Sequence, residues 1–421
     1  MNHKLILFRA DGGPGIGMGH IVRCLALAGE LRREGVSPEF ALSASDFAEG
    51  ESVGIQVGFL SRPDPVVERM VCERGFSFYP LESDEDFFAR LKMLSPLALV
   101  VDNYLIGTDE LAAIKKLVPL LVAIDDLNDR ELPVDLIING NVTGPSLGYK
   151  ADRRLLLGPE YVLLRPEFRA RPARTIAERA QRVMVTLGGS DDLNLTPLVL
   201  EALRGTGLHI SVVVGPRFNR NLMKELVNDW NGIMTPTDKK MVRPVLSGDG
   251  EIPVESRCPA DGNTVEFLES PDMAALMCRA DLAVSAGGST LYELCATGTP
   301  AVVVAVAENQ VASSRALHEL GCVHYLGYYS DVFPPPYVCA AEESYPDEHW
   351  RIKCPHSDTG RGAFGGYTTA EGSILRRAVL SLAVDPSRRA EMSRRGRSLV
   401  DGLGAKRCAA VIMEMLHRIL P

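Results

Sequence analysis

Short apolar runs alternate with helix-like segments twice along this 421-residue chain, and that rhythm restricts the possible folds more than any other feature. In the first half, Lys4–Phe8, Glu39–Ser43, Leu97–Val101, Leu120–Ile124 and Leu136–Asn139 have strand length, with Leu155–Leu157 as a short addition. Ile21–Arg33, Ser83–Leu94 and Asp109–Val118 are the helical stretches between them. Such βαβ alternation builds a parallel sheet covered on both faces. An Arg-, Pro- and Ala-rich segment near Phe168–Arg182 interrupts it. Then strands Arg182–Leu187, His209–Val214, Leu282–Ser285 and Ala301–Val306 alternate with helices Leu195–Arg204, Asp272–Arg279 and Ser289–Thr297. The expected class is α/β, with two doubly wound Rossmann-like domains at 1–170 and 180–400 and a C-terminal helix within 401–421. Two stretches break the pattern and read as loops or lids: 231–263, polar and without period, and 328–372, which contains Pro334-Pro335-Pro336 and a glycine-rich run.

Charge and composition narrow the partners. A net charge of −9 argues against nonspecific nucleic-acid binding, so an anionic ligand has to be held locally by backbone N–H groups or a few cations. No apolar stretch reaches the ~18 residues of a membrane span, and the run Leu5–Phe8 is too short for a signal-peptide core. The nine cysteines form no Cys-x-x-Cys pair, which points to a reduced, cytoplasmic protein. Cys339, His349, Cys354 and His356 match no common zinc spacing, so neither a metal nor another cofactor is expected.

The densest chemistry follows the first strand. Five glycines crowd Gly12–Gly19, and His20 opens the next helix. A strand running through a glycine turn into a helix N-terminus brings N–H groups close to an anion, and an imidazole can serve as a base near neutral pH. A plain sharp turn capped by His20 is the alternative. The spacing Gly13-Pro14-Gly15-Ile16-Gly17 mimics a dinucleotide fingerprint imperfectly, and no second strand ending in an acid follows at the required distance.

Four further segments carry polar residues at strand ends. Asp102, Asn103 and Tyr104 follow one buried run, where Asp102 and Tyr104 can reach a sugar hydroxyl or act as a turn acid and a packed ring. Asp125 and Asp126 are paired carboxylates that either share a proton or cap a loop. Gly188, Gly189, Ser190 and Asp191 form a second strand–glycine–helix turn, and Gly287, Gly288, Ser289 and Thr290 a third. Glu293, one helical turn further, can accept both hydroxyls of a ribose or simply favour the helix dipole. Two anion-type turns in one domain, with that Glu, point to a nucleoside diphosphate.

These segments, together with Leu157–Arg165 and Ala307–Gln310, resemble the PseG-type nucleotide-sugar hydrolases of pseudaminic acid biosynthesis, a family with spore-coat polysaccharide relatives. The resemblance covers about residues 4–325 and 373–421. It implies a glycosyltransferase-B-like fold similar to MurG. The implied reaction is hydrolysis of UDP-2,4-diacetamido-2,4,6-trideoxy-β-L-altropyranose by water at the anomeric carbon. On that basis His20 is the base and Tyr104 a second active-site residue. Gly17, Gly19, Arg23 and Asp102 join the substrate site in the first domain. Gly188, Gly189, Ser190, Asp191, Gly287, Gly288, Ser289, Thr290 and Glu293 bind the UDP side, and Asn309 and Gln310 approach the sugar or diphosphate. Asn103 stands where the resemblance leads one to expect a histidine, and both inserts lie outside its pattern. A glycosyltransferase using a UDP-sugar donor, or a non-catalytic UDP-sugar-binding protein, are the alternatives.

Overall fold

The structure, a computed structural model, describes residues 4–13, 16–35, 55–169, 171–230, 233–236, 263–333 and 373–419. Two compact units emerge: Met1–Ala170 together with Leu399–Pro421, and Arg171–Ser398.

The first unit carries a seven-stranded sheet in the order β3-β2-β1-β4-β5-β6-β7. Its strands are β1 (Leu5–Ala10), β2 (Gln56–Ser61), β3 (Ser77–Pro80), β4 (Ala98–Asp102), β5 (Leu120–Ile124), β6 (Leu136–Asn139) and β7 (Arg154–Leu157). Every pairing is parallel. β1, β4 and β5 are buried along their whole length, which is why each reads as an uninterrupted apolar run. The strand order reverses between β1 and β4, where an open α/β sheet holds its ligand beyond the carboxyl ends. Register sets Ala10 beside Asp102, so the residues after β1 and those after β4 emerge side by side.

Helix α1 (Gly19–Glu34) covers one face. Its buried Ile21, Cys24, Leu25 and Leu31 pack in one cluster with Ala405, Cys408, Ile412 and Met413 of α13 (Gly404–Ile419). The opposite face is closed by α3 (Asp84–Leu94) and α4 (Thr108–Lys115) through Phe87, Leu91, Leu111 and Ile114.

The second unit has seven parallel strands in the order β10-β11-β9-β8-β12-β13-β14. They are β8 (Arg182–Thr186), β9 (His209–Val214), β10 (Ile233–Pro236), β11 (Thr264–Glu269), β12 (Leu282–Ala286), β13 (Ala301–Ala305) and β14 (His324–Tyr328). Here the order reverses between β8 and β12, and Ser285 pairs with Thr186 so that the two following turns begin level.

The α/β class and the doubly wound sheets agree with the sequence reading. Several elements escaped it: β2, β3, β11, β14, α2 (Pro65–Cys72) and α6 (Arg220–Asp229). Part of each expected insert is regular structure, because β10 falls within 231–263, and Tyr328 closes β14 before a short helix, Tyr329–Val332. The rest of both inserts, including Cys339, His349, Cys354 and His356, lies outside the described residues, as does the expected strand Glu39–Ser43. No helix among the described residues is long and apolar enough to cross a membrane.

Candidate functional site

In the first unit the chain leaves β1 at Asp11 and enters α1 through the glycine loop. Gly13 and Gly17 bond each other's backbone at 3.2 and 2.9 Å, and Gly17 adopts φ +78°, a conformation that a side chain would strain. Gly19 is exposed and opens α1, which points His20 toward the strand ends.

There His20, Arg23, Asp102 and Tyr104 come together, joined by Asp126 and Asn141. Asp102 Oδ1 lies 2.6 Å from His20 Nδ1, and Arg23 grips both Asp102 oxygens at 2.6 Å through Nε and Nη2. The same guanidinium reaches Asp126 Oδ2 at 2.7 Å through Nη1. Tyr104 donates its hydroxyl hydrogen to that oxygen, and Asn141 Nδ2 donates to Asp126 Oδ1 at 2.7 Å. The His20 and Tyr104 rings meet edge to face with centroids 4.9 Å apart.

The electrostatics fix which imidazole nitrogen carries hydrogen. Burial alone pushes the Asp102 carboxyl up, but Arg23 and His20 outweigh it through charge and hydrogen bonds and hold it well below the usual carboxylate range. An ionised carboxylate only accepts, so His20 Nδ1 is the donor. The 3.3 Å approach of Arg23 Nη2 to the same nitrogen is then a contact between two donors. Nε2 is left as the acceptor of the neutral ring, the tautomer a base requires. For Tyr104, burial and the Asp126 charge push the phenol well above its ordinary value.

Two expected roles change with this geometry. Asp102 was expected to reach a sugar hydroxyl, but its side chain is 0% exposed and both oxygens are taken, so it orients His20 instead. Arg23, expected beside substrate, spends its fork on Asp102 and Asp126. Asn103, in place of the expected histidine, is buried and structural: it donates to Asp11 Oδ2 at 2.9 Å and accepts from the Leu105 N–H at 2.8 Å. The paired carboxylates divide their work. Asp125 holds its own turn by accepting from the Asn128 N–H and the Tyr149 hydroxyl, whereas Asp126 faces the cluster. Asn141 is the functional candidate missing from the sequence reading, whereas Asp126 was read there as one of a carboxylate pair that shares a proton or caps a loop. The available signal for Asn141 was position, since it follows the end of β6, two strands along from β4.

In the second unit the Gly188–Asp191 turn leaves β8 and the Gly287–Thr290 turn leaves the adjacent β12. Gly188 is exposed, and the Gly189 carbonyl accepts the Arg217 N–H at 3.2 Å, which braces the first turn. Asp191, expected on the ligand, is buried and caps α5 (Thr196–Leu203). It accepts from the Leu195 N–H at 2.9 Å, the Thr196 N–H at 3.0 Å and the Thr196 hydroxyl at 2.5 Å. Burial pushes its carboxyl up to about 6 against those hydrogen bonds.

Gln310 is also redirected. Its Oε1 accepts the Gly287 N–H at 3.1 Å and the Val306 N–H at 3.0 Å, tying the second turn to the end of β13. A Cβ on Gly287 would sit 2.4 Å from Ser314 Oγ, so only glycine fits there. Ser289 and Asn309 are exposed, Gly288 and Thr290 are half-buried, and Glu293 is buried in the first turn of α8 (Thr290–Thr297). Among the described residues, no group of three His, Cys, Asp or Glu side chains is placed to hold a metal ion.

No family model matches the chain. An uncharacterized protein of Methanocaldococcus jannaschii is 25% identical over 306 residues, 70% of this chain. The match spans only 54%, about half, of that relative's length. The spore coat polysaccharide biosynthesis protein SpsG of Bacillus subtilis is 25% identical over 324 residues, 76% of this chain and 82% of that protein. Among solved structures, MurG of Acinetobacter baumannii superposes with a TM-score of 0.57 at 14% identity, covering 98% of this chain and 99% of the other. The glycosyltransferase SsfS6 of Streptomyces sp. SF2575, solved with thymidine diphosphate, gives 0.53 at 14% identity over 98% and 100%. The chain has the two-domain, Rossmann-like glycosyltransferase-B fold.

Proposed function

We propose that this chain is a nucleotide-sugar hydrolase that releases UDP and a free sugar. The sugar we assign is a 2,4-diacetamido-2,4,6-trideoxyhexose, in pseudaminic (nonulosonic) acid biosynthesis. One observation carries the reading: the imidazole of His20 is held through Nδ1–H by a fully buried, ionised Asp102, which leaves Nε2 to take a proton. In the reaction, a water oxygen bonds the anomeric carbon and gives its proton to Nε2. The bond from that carbon to the diphosphate oxygen breaks, and UDP leaves with the electron pair. His20, Arg23, Asp102 and Asp126 together carry one net negative charge while the ring is neutral, and none once it is protonated. The turns after β8 and β12 suit the diphosphate, because their N–H groups stabilise developing negative charge without reorganising. The similarity to a spore-coat polysaccharide biosynthesis protein agrees with a sugar-nucleotide substrate.

The test is incubation with candidate UDP-sugars in H₂¹⁸O, with UDP and free sugar followed by NMR and mass spectrometry. Free sugar carrying ¹⁸O at the anomeric carbon is the expected result. Sugar passed only to an added acceptor would support a glycosyltransferase, and UDP-sugar binding without turnover a binding protein.

Two further outcomes follow from the second unit. Glu293→Ala weakens UDP binding roughly 10- to 150-fold, the worth of hydrogen bonds to a charged acceptor, and leaves kcat nearly unchanged. Calorimetry with UDP checks this, and unaltered affinity removes Glu293 from the nucleotide site. Turnover also persists in EDTA, since backbone N–H groups of the two turns and the N-terminus of α8 carry the diphosphate charge. A loss restored only by Mg²⁺ or Mn²⁺ overturns that mechanism.

A further inference from the structure

The cluster around His20 is a closed circuit of five side chains. His20 bonds Asp102, Asp102 bonds Arg23, Arg23 bonds Asp126, Asp126 bonds Tyr104, and the Tyr104 ring returns to the edge of His20. Each ring thus has its own carboxylate, and one guanidinium spans the two. Asp126 has no slack in this arrangement, because Arg23 and Tyr104 share its Oδ2 while Asn141 holds its Oδ1.

We propose that Asp126 is a positioning residue: it accepts the hydroxyl hydrogen bond of Tyr104, keeping Tyr104 a neutral hydrogen-bond acceptor toward substrate, so that His20 alone carries the reaction's proton. The geometry supports this directly. A phenol whose hydrogen is committed to a carboxylate presents only oxygen lone pairs and its ring to anything else. Ionising it would set a phenolate against the Asp126 carboxylate, with Asp102 also near and only Arg23 opposing. The neighbouring Asp125 turns the other way: its Oδ2 accepts from the Asn128 N–H and the Tyr149 hydroxyl, and its Oδ1 lies 3.6 Å from Arg130. The kinetic part of the proposal rests on the hydrolase reading; the protonation part does not.

The test uses full-length protein labelled with [¹³Cζ]tyrosine, with Tyr104→Phe identifying the signal. In the wild type the Tyr104 carbon stays unshifted through pH 11, while exposed tyrosines titrate near ~10. Asp126→Asn brings the Tyr104 midpoint down toward that ordinary value. It also lowers kcat roughly 10-fold without changing KM, and Asp126→Glu recovers part of the loss. A Tyr104 that titrates with the exposed tyrosines in the wild type overturns the proposal, and this measurement needs no variant at Asp126. An unmoved midpoint in Asp126→Asn overturns it as well. If no UDP-sugar is hydrolysed, the hydrolase reading falls while the titration still decides the role of Asp126.

Discussion

His20→Ala lowers kcat for UDP release by roughly 10²–10⁴-fold, the usual contribution of a positioned general base, and leaves UDP affinity close to wild type. The separation follows from where the groups lie. His20 belongs to the first unit, whereas the glycine turns and Glu293 assigned to UDP belong to the second. Removing the imidazole deletes the proton acceptor without touching a nucleotide contact. His20→Asn gives a similar loss, because an amide fills the space but cannot take the proton. Steady-state kinetics with a UDP calorimetric titration checks both halves. Abolished UDP binding with turnover spared at saturating substrate would make His20 a ligand contact and move the base elsewhere.

Arg23→Ala has the largest expected effect on stability, about 3–5 kcal/mol, the cost of leaving a buried charge without its partner. Two Arg23 nitrogens sit 2.6 Å from the Asp102 oxygens, and the Asp102 side chain is 0% exposed. That loss is a large part of the ~5–15 kcal/mol that holds a folded protein together. Urea unfolding of the variant should show it. Arg23→Ala with Asp102→Asn should recover much of it, since the orphaned charge is gone. A single variant within 1 kcal/mol of wild type would mean that the pair anchors nothing.

The same pair sets a pH signature. Because the folded Asp102 carboxyl lies below its unfolded value, its stabilisation is complete above about pH 4 and drains away as pH falls through the depressed folded value. Without Arg23 the strongest downward pull on the carboxyl is lost and only His20 still opposes burial, so the carboxyl rises. The Arg23→Ala protein therefore loses less stability than the wild type as pH falls below about 4.

What could be read from the sequence was what needs no partner. β1, β4 and β5 are apolar on both faces, so Leu5–Ala10, Ala98–Asp102 and Leu120–Ile124 declare themselves as runs that end abruptly in polar residues. Edge elements do not. β3 is the four residues Ser77–Pro80, with exposed ends, and becomes a strand only by pairing with β2. The same limit applied within the site. A strand-end acid such as Asp102 looks free until Arg23, 79 positions away, is seen to close on it. Gln310 looks like a ligand contact until Gly287, 23 positions away, claims its carbonyl. Asp191, placed on the ligand from sequence, had a contrary signal that went unread, since Pro197 marks the start of α5 and N–H groups there need partners.

The packing of α13 against α1 imposes an order on synthesis. Residues 404–419 complete the apolar cluster under α1, and Arg407 bonds the Glu160 carbonyl at 2.9 Å. Those residues leave the ribosome only after all of 171–398 has been made. A nascent chain reaching residue 398 therefore holds everything the second unit requires, yet cannot finish the first. The usual vectorial sequence, in which the N-terminal domain matures earliest, is inverted. A released chain truncated before residue 404 should display a protease-resistant second unit joined to a first unit still open to cleavage, and His20 acquires its final surroundings last.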